Sequence, residues 1–358
     1  MADIHSALVT LAWEEPLLAA LRRALAPADV HVVNRRDRRA IAAALKQVDV
    51  AFIDGDVDGR YLQAPRLQWV HCGHAGLDRS ASPDILASGL QVTSAAGRSA
   101  PALAEHALLF MLALAFRLDR FYEAQRQHRW GISGQGSLQP LHGKTLGIVG
   151  LGHTGIELAR RARAFDMRVV AYRRRNIASD RVDEIYSKDA GDSLDKVLGC
   201  SDFLVLALPL SNSTRHLIGA RELARMRPGS YLINIARGGL VDETALLQAL
   251  GSQHLAGAAI DVAEEEPLPS RSPLWDAPNL LITPHFTPRL VDRDSRALDL
   301  LLENLRRFRA DQPLLNLLTP DDVCSPPGPG EHPRSALPGA LADASRVGRR
   351  LRHWLRRR

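Results

Sequence analysis

The sequence predicts an α/β chain built as two doubly wound parallel-sheet domains. Short apolar runs alternate with helix-period stretches over the first hundred residues, and the alternation restarts near residue 145. The third observation is size: 358 residues, 46% of them hydrophobic, suffice to bury about two cores. Runs 7–12, 30–33, 48–53, 67–71 and 90–93 read as buried strands, with helical patterns at 17–25 and 38–46 between them. Apolar strands separated by helices mark a parallel sheet covered on both faces. Residues 101 to about 127 then read as one long helix, with Leu103, Ala107, Leu108, Met111, Leu112 and Ala115 as its apolar positions. Glu105 and His106 interrupt it too early for a membrane span.

The next strand, 145–150, runs into Gly150-Leu151-Gly152-His153-Thr154-Gly155. A helix follows from about Thr154, with Ile156, Leu158, Ala159, Ala162 and Phe165 on one face, and a second strand at 168–172 closes the unit. Each glycine has its own task. Gly150 permits the turn, Gly152 lets backbone approach a pyrophosphate, and Gly155 lets helix and strand pack, so His153 and Thr154 open a helix whose free N–H groups face phosphates. An NAD site places a carboxylate at the end of the second strand for the ribose 2′-hydroxyl. Here the chain reads Tyr172-Arg173-Arg174-Arg175, with Arg173 eighteen residues after Gly155. Guanidinium groups match a 2′-phosphate in charge and fork geometry, so Arg173 and Arg174 predict a preference for NADP. NAD stays an alternative cofactor, with Asp180 or Asp183 as the acid that would fold back to serve it.

Four further strands are expected at 203–208, 230–235, 256–260 and 280–283. Beyond them lie Asn234-Ile235-Ala236-Arg237-Gly238-Gly239-Leu240-Val241-Asp242, then Ala259-Ile260-Asp261-Val262-Ala263-Glu264-Glu265-Glu266-Pro267, then Thr283-Pro284-His285. Supporting stretches are 208–214, 226–229 and 273–279. In order and spacing these motifs resemble the D-2-hydroxyacid dehydrogenase family over about residues 4–318. The resemblance implies a Rossmann cofactor domain plus a flavodoxin-like substrate domain. It also implies NAD(P)-dependent reduction of a 2-oxo acid, of the glyoxylate/hydroxypyruvate reductase kind, and a homodimer formed through the helix at 101–127.

The residues suit that chemistry on their own terms. Arg237, at a strand end before two glycines, can fork onto a carboxylate and polarise the neighbouring carbonyl. His285 follows a strand and a proline, at the sheet edge where open parallel sheets place their sites, and can exchange the proton on the substrate oxygen. Glu266 would orient the imidazole and favour its protonated form. The resemblance gives these three positions the same roles, with Asp261 hydrogen-bonding the nicotinamide carboxamide and Pro209 and Thr214 lying along the cofactor. Asn234 reads equally well as a turn residue.

Two stretches depart from the family pattern. After His285, where most members have a small glycine-containing turn, the chain has Phe286-Thr287-Pro288-Arg289, a bulkier and cationic wall. The loop expected to hold the substrate carboxylate reads 71–78, with Ala75, Gly76 and Leu77 as N–H donors and His71 and His74 as additions. Glyoxylate, hydroxypyruvate and longer 2-oxo acids all remain candidates. The substrate domain is expected to be discontinuous, 1–98 and 289–320, around a cofactor domain at 99–288.

Cys72, Cys200 and Cys324 are far apart with no metal-ligand spacing, so neither disulfide nor metal is expected, and the chain reads as cytoplasmic, without leader or membrane span. From Ser325 the chain is rich in Pro and Gly and reads as a disordered linker. Residues 321–358 hold eight arginines against four acids, most of the chain's net +6. Val347, Leu351, Trp354 and Leu355 fall at helical spacing there, an amphipathic pattern suited to an anionic surface, although a solvated tail fits as well. Two rival functions share the fold: a dinucleotide-sensing binding protein of the corepressor kind, and an oxyanion dehydrogenase acting on a phosphite-like substrate.

Overall fold

The computed structural model describes residues 3–286 and 290–325. Met1–Cys324 forms one compact unit. The basic pattern at 347–357 and most of the turn after Phe286 therefore lie outside the described residues.

Two all-parallel sheets are present. The first is built from β1 (Ser6–Val9), β2 (Asp29–Val32), β3 (Val50–Ile53), β4 (Trp69–Cys72) and β5 (Gln91–Ser94) in the order β2-β1-β3-β4-β5, the flavodoxin-like order. The second contains β6 (Thr145–Val149), β7 (Arg168–Arg173), β8 (Glu184–Ser187), β9 (Phe203–Leu206), β10 (Ser230–Asn234), β11 (Leu255–Ile260) and β12 (Leu280–Ile282). Its order is β12-β11-β10-β9-β6-β7-β8, so the direction of winding reverses between β6 and β9. That reversal opens a crevice at the carboxyl ends of the two strands, where ligands bind in open α/β sheets.

Both faces of each sheet are buried, and alternate residues divide between them. In the second sheet Leu146, Ile148, Val169, Phe203 and Val205 pack against helices Ala100–Ala115 and His153–Arg163. Leu204, Leu206, Leu232 and Ala258 face the opposite way, toward helix Glu243–Gly251. In the first sheet Ala7, Val9, Phe52 and Trp69 meet helix Glu15–Leu25 and the late helix Arg293–Arg309, which returns to this sheet through Leu298, Leu301, Leu305 and Phe308.

The single helix expected over 101–127 is two. Helix Ala100–Ala115 ends at Phe116, Arg117 turns left-handed with φ +51°, and Leu118–Arg126 continues at 64° to the first. Arg117 is held in that corner by its guanidinium, which reaches Asn279 Oδ1 at 2.9 Å. No single described helix is long and apolar enough to cross a membrane.

Candidate active site

The glycine turn has the geometry of a phosphate cradle. Gly150 sits at φ +102°, and a Cβ there would lie 2.5 Å from Ala207 O at the end of β9. A Cβ on Gly155 would lie 2.3 Å from Gly150 O, so helix and strand touch backbone to backbone. Gly152 differs: a Cβ on it would meet no protein atom within 4 Å, and the residue lines the cleft. Helix His153–Arg163 starts there without a side-chain cap, which leaves its first N–H groups for an anion. These residues fit a dinucleotide.

At the far end of β7, Arg173 Nη1 donates to Ile177 O at 3.3 Å and Arg174 Nη1 lies 3.1 Å from Asp321 Oδ2. Neither acid considered above reaches that end. Asp183 accepts from Val169 N at 2.7 Å and from Arg163 at 2.8 Å, at the opposite end of the strand, and Asp180 pairs with Arg181.

Arg237 stands beyond β10 on a turn tied by Asn234, whose Nδ2 donates to Arg237 O at 2.8 Å and whose Oδ1 accepts from Ala236 N at 3.1 Å. Gly238 follows because a Cβ there would lie 1.9 Å from Ala263 C, which sets the Arg237 turn directly on the loop that carries Glu266. The guanidinium crosses to the first sheet's loop. Its Nε donates to Asp78 Oδ1 at 2.9 Å and its Nη1 to Ala236 O at 2.7 Å. A Cβ on Gly76 would be 1.4 Å from Nη2, so only glycine lets the group lie there. Nη2 has no acceptor among the described residues. Burial pushes the Asp78 carboxyl up, but the charge and hydrogen bond of Arg237 outweigh it and hold it below the usual carboxylate range.

His285 takes φ +49°, with its N–H donating to Asp261 O at 2.7 Å. Its Nδ1 is 2.7 Å from Glu266 Oε2, and Glu266 Oε1 accepts from Ala263 N at 3.0 Å. Facing a carboxylate, Nδ1 carries the proton, and Nε2 is left for a substrate. Asp261 is fully buried; its Oδ1 accepts from Thr283 and from Phe286 N, and its Oδ2 lies 4.0 Å from His106 Nδ1.

A cleft of about 350 Å³ between the two sheets brings together Ala75, Gly76, Leu77, Gly152, His153, Thr154, Pro209 and Arg237. His285, Glu266, Asp261, Arg173 and Arg174 stand outside its lining, as does Thr214, whose hydroxyl donates to Pro209 O at 2.9 Å and closes its own loop. The sequence reading passed over Asp78, Asp322 and Asn316, which line the cleft as well. His74 bonds Gly55 O at 3.0 Å, and His71 is buried against Thr93.

Comparison with known proteins adds to this geometry. The family model for "D-isomer specific 2-hydroxyacid dehydrogenase, NAD binding domain" matches residues 108–287. A glyoxylate reductase of Korarchaeum cryptofilum is 32% identical over 302 residues, covering 81% of this chain and 89% of that one. Among solved structures, a D-isomer specific 2-hydroxyacid dehydrogenase from Xanthobacter autotrophicus Py2, in complex with NADPH and MES, superposes with TM-score 0.74 and 30% identity over 89% of this chain and 99% of that one. An NADPH-dependent glyoxylate/hydroxypyruvate reductase from Sinorhizobium meliloti, with NADP and sulfate, gives TM-score 0.72 and 28% identity over 88% of this chain and 98% of that one.

Proposed function

Because the chain belongs to the D-isomer specific 2-hydroxyacid dehydrogenase family, we propose that it reduces a small 2-oxo acid, glyoxylate or hydroxypyruvate, to the 2-hydroxy acid with NADPH. The observation that carries this reading is Arg237 Nη2, lying against Gly76 without an acceptor in a cleft shared with the glycine turn. When bound, the nicotinamide supplies the hydride. The chain does the rest. The N–H groups of Ala75, Gly76 and Leu77 and the Arg237 guanidinium hold the substrate carboxylate, and the same guanidinium polarises the 2-oxo group. Nε2 of His285 gives its proton to the carbonyl oxygen as the hydride reaches carbon, and Glu266 keeps the ring oriented and stabilises the charged imidazolium before transfer. Oδ2 of Asp261 is the acceptor left for the carboxamide.

The 2′-phosphate is assigned to Arg173 and Arg174, since neither Asp180 nor Asp183 reaches the end of β7 to receive a 2′-hydroxyl. We read 1–98 with 289–320 as the substrate domain and 99–288 as the cofactor domain. Leu109, Phe116, Leu118 and Tyr122, all exposed on the two bent helices, form the face through which two copies associate.

Arg237→Ala should lower kcat/KM on the best 2-oxo acid by roughly a hundredfold or more, about 3–4 kcal/mol of transition-state stabilisation, and His285→Ala should be similarly slow. Both should bind NADPH normally. Near-normal turnover in either variant would refute the assignment.

A further inference from the structure

After the first sheet's last contact, Leu318 N to Val92 O at 2.8 Å, the chain leaves that sheet and crosses the mouth of the cleft. Residues 319–324 are fixed at both sides of the crossing. Thr319 N and Oγ1 donate to Asp322 Oδ2 at 2.9 and 2.6 Å, closing a tight turn. Val323 O accepts from Asn212 N at 2.8 Å in the second domain, and Cys324 N donates to Ala81 O at 3.0 Å in the first. Arg215 Nη2 reaches Cys324 Sγ at 3.7 Å. The backbone on either side of Asp321 is therefore held, and its carboxylate is delivered to Arg174, 3.1 Å away.

An exposed ion pair between two free side chains would carry little meaning. This one is different because the strap sets the position of the acid, while the cation is one of two that the reading above assigns to a 2′-phosphate. We infer that Asp321 is a cofactor-specificity residue: it occupies Arg174 in place of the 2′-phosphate, and NADPH must displace it to bind. This inference rests on the assignment of Arg173 and Arg174 to that phosphate. Asp321 has no described partner other than Arg174, whereas the turn is closed by Asp322, so the carboxylate can be neutralised without undoing the strap. Both side chains are well exposed, and the exchange of one anion for another needs no opening of the core. The result is an enzyme whose NADPH affinity is set below what its two arginines would give, and whose NADH affinity is untouched by the same acid.

Dissociation constants for NADPH and NADH, read from the fluorescence of the reduced nicotinamide, test this in the full chain. Asp321→Asn should tighten NADPH about fivefold, the scale of one exposed charge pair, and leave NADH within twofold. In an Arg174→Ala background the same substitution should change nothing. If Arg173→Ala and Arg174→Ala each weaken NADPH while Asp321→Asn leaves it unchanged, the arginine assignment stands and competition by Asp321 is wrong. Weaker NADPH binding in Asp321→Asn would make the acid a positioning partner for Arg174 and also overturn the inference. If neither arginine variant moves NADPH, the phosphate assignment itself fails.

Discussion

Arg237 serves two partners at once, and Asp78 is what keeps the arrangement in place. Nε is taken by the carboxylate, which leaves Nη2 presented over Gly76. Asp78→Asn keeps an acceptor but removes the charge, so kcat/KM should fall about tenfold with NADPH affinity unchanged. A loss confined to cofactor binding would contradict this. Because Arg237 depresses the Asp78 pKa, the pair stabilises the fold above the ordinary carboxylate pKa of about 4 and is lost as pH falls below it. His71 has the opposite history. The Thr93 hydroxyl accepts from Trp69 Nε1 at 2.8 Å and lies 2.9 Å from His71 Nδ1, while His71 Nε2 is buried with no partner among the described residues. Burial, then the charges of Arg98 and His74, push its pKa down to about 3. Between about 6.5 and 3 the unfolded chain binds a proton that the folded chain refuses, so stability falls with pH by up to about 1.4 kcal/mol per unit. Denaturant titrations at pH 7 and pH 5 should show a smaller decline in His71→Met than in the wild type; an equal decline would remove His71 as the cause. Neither role was legible beforehand. Asp78 and His71 were visible only as members of a loop, and what they do depends on a guanidinium 159 positions away in the chain and on two strand neighbours.

The strand, glycine turn and helix at 145–163 show what an element adds to its residues. Gly150→Ala and Gly152→Ala look alike in sequence but should fail differently. A methyl at 150 meets Ala207 O at a left-handed φ, so that variant should lose about 1–3 kcal/mol of stability. A methyl at 152 meets nothing in the protein and projects into the cleft, so the fold should hold while the Michaelis constants for both cofactors rise. Thermal melts beside cofactor kinetics separate the two; a destabilised Gly152→Ala would contradict the account. This unit was readable because hydrophobic period, glycine positions and strand length all agree on one structure. Strand β8, Glu184–Ser187, was not, because a short, half-buried edge strand leaves no apolar run. The break at Arg117 was hidden for another reason: apolar spacing continues on both sides of it, and the residue that holds the corner, Asn279, arrives 162 positions later.

At the scale of the molecule, the proposed catalytic trio could be put forward from the sequence because Arg237, Glu266 and His285 each follow a strand of the same sheet. The strap at 319–324 was not, since nothing in six polar and small residues signals where they cross. Association of two copies through Leu118 and Tyr122 predicts that Leu118→Glu with Tyr122→Glu lowers the sedimentation coefficient to that of a monomer; a monomeric wild type would contradict the proposed face. Removal of residues 326–358 should leave turnover unchanged, because every residue assigned to the chemistry precedes them.

The central claim is NADPH-dependent reduction of a small 2-oxo acid, and one comparison tests it most directly. Initial rates with glyoxylate and hydroxypyruvate, each at varied NADPH and varied NADH, yield kcat/KM for the two cofactors. The account predicts turnover of at least one of these acids, with NADPH favoured by about tenfold or more, the worth of one or two guanidinium contacts to a phosphate. Equal efficiencies, or a preference for NADH, would contradict the assignment of Arg173 and Arg174, and no turnover of either acid would contradict the proposed reaction.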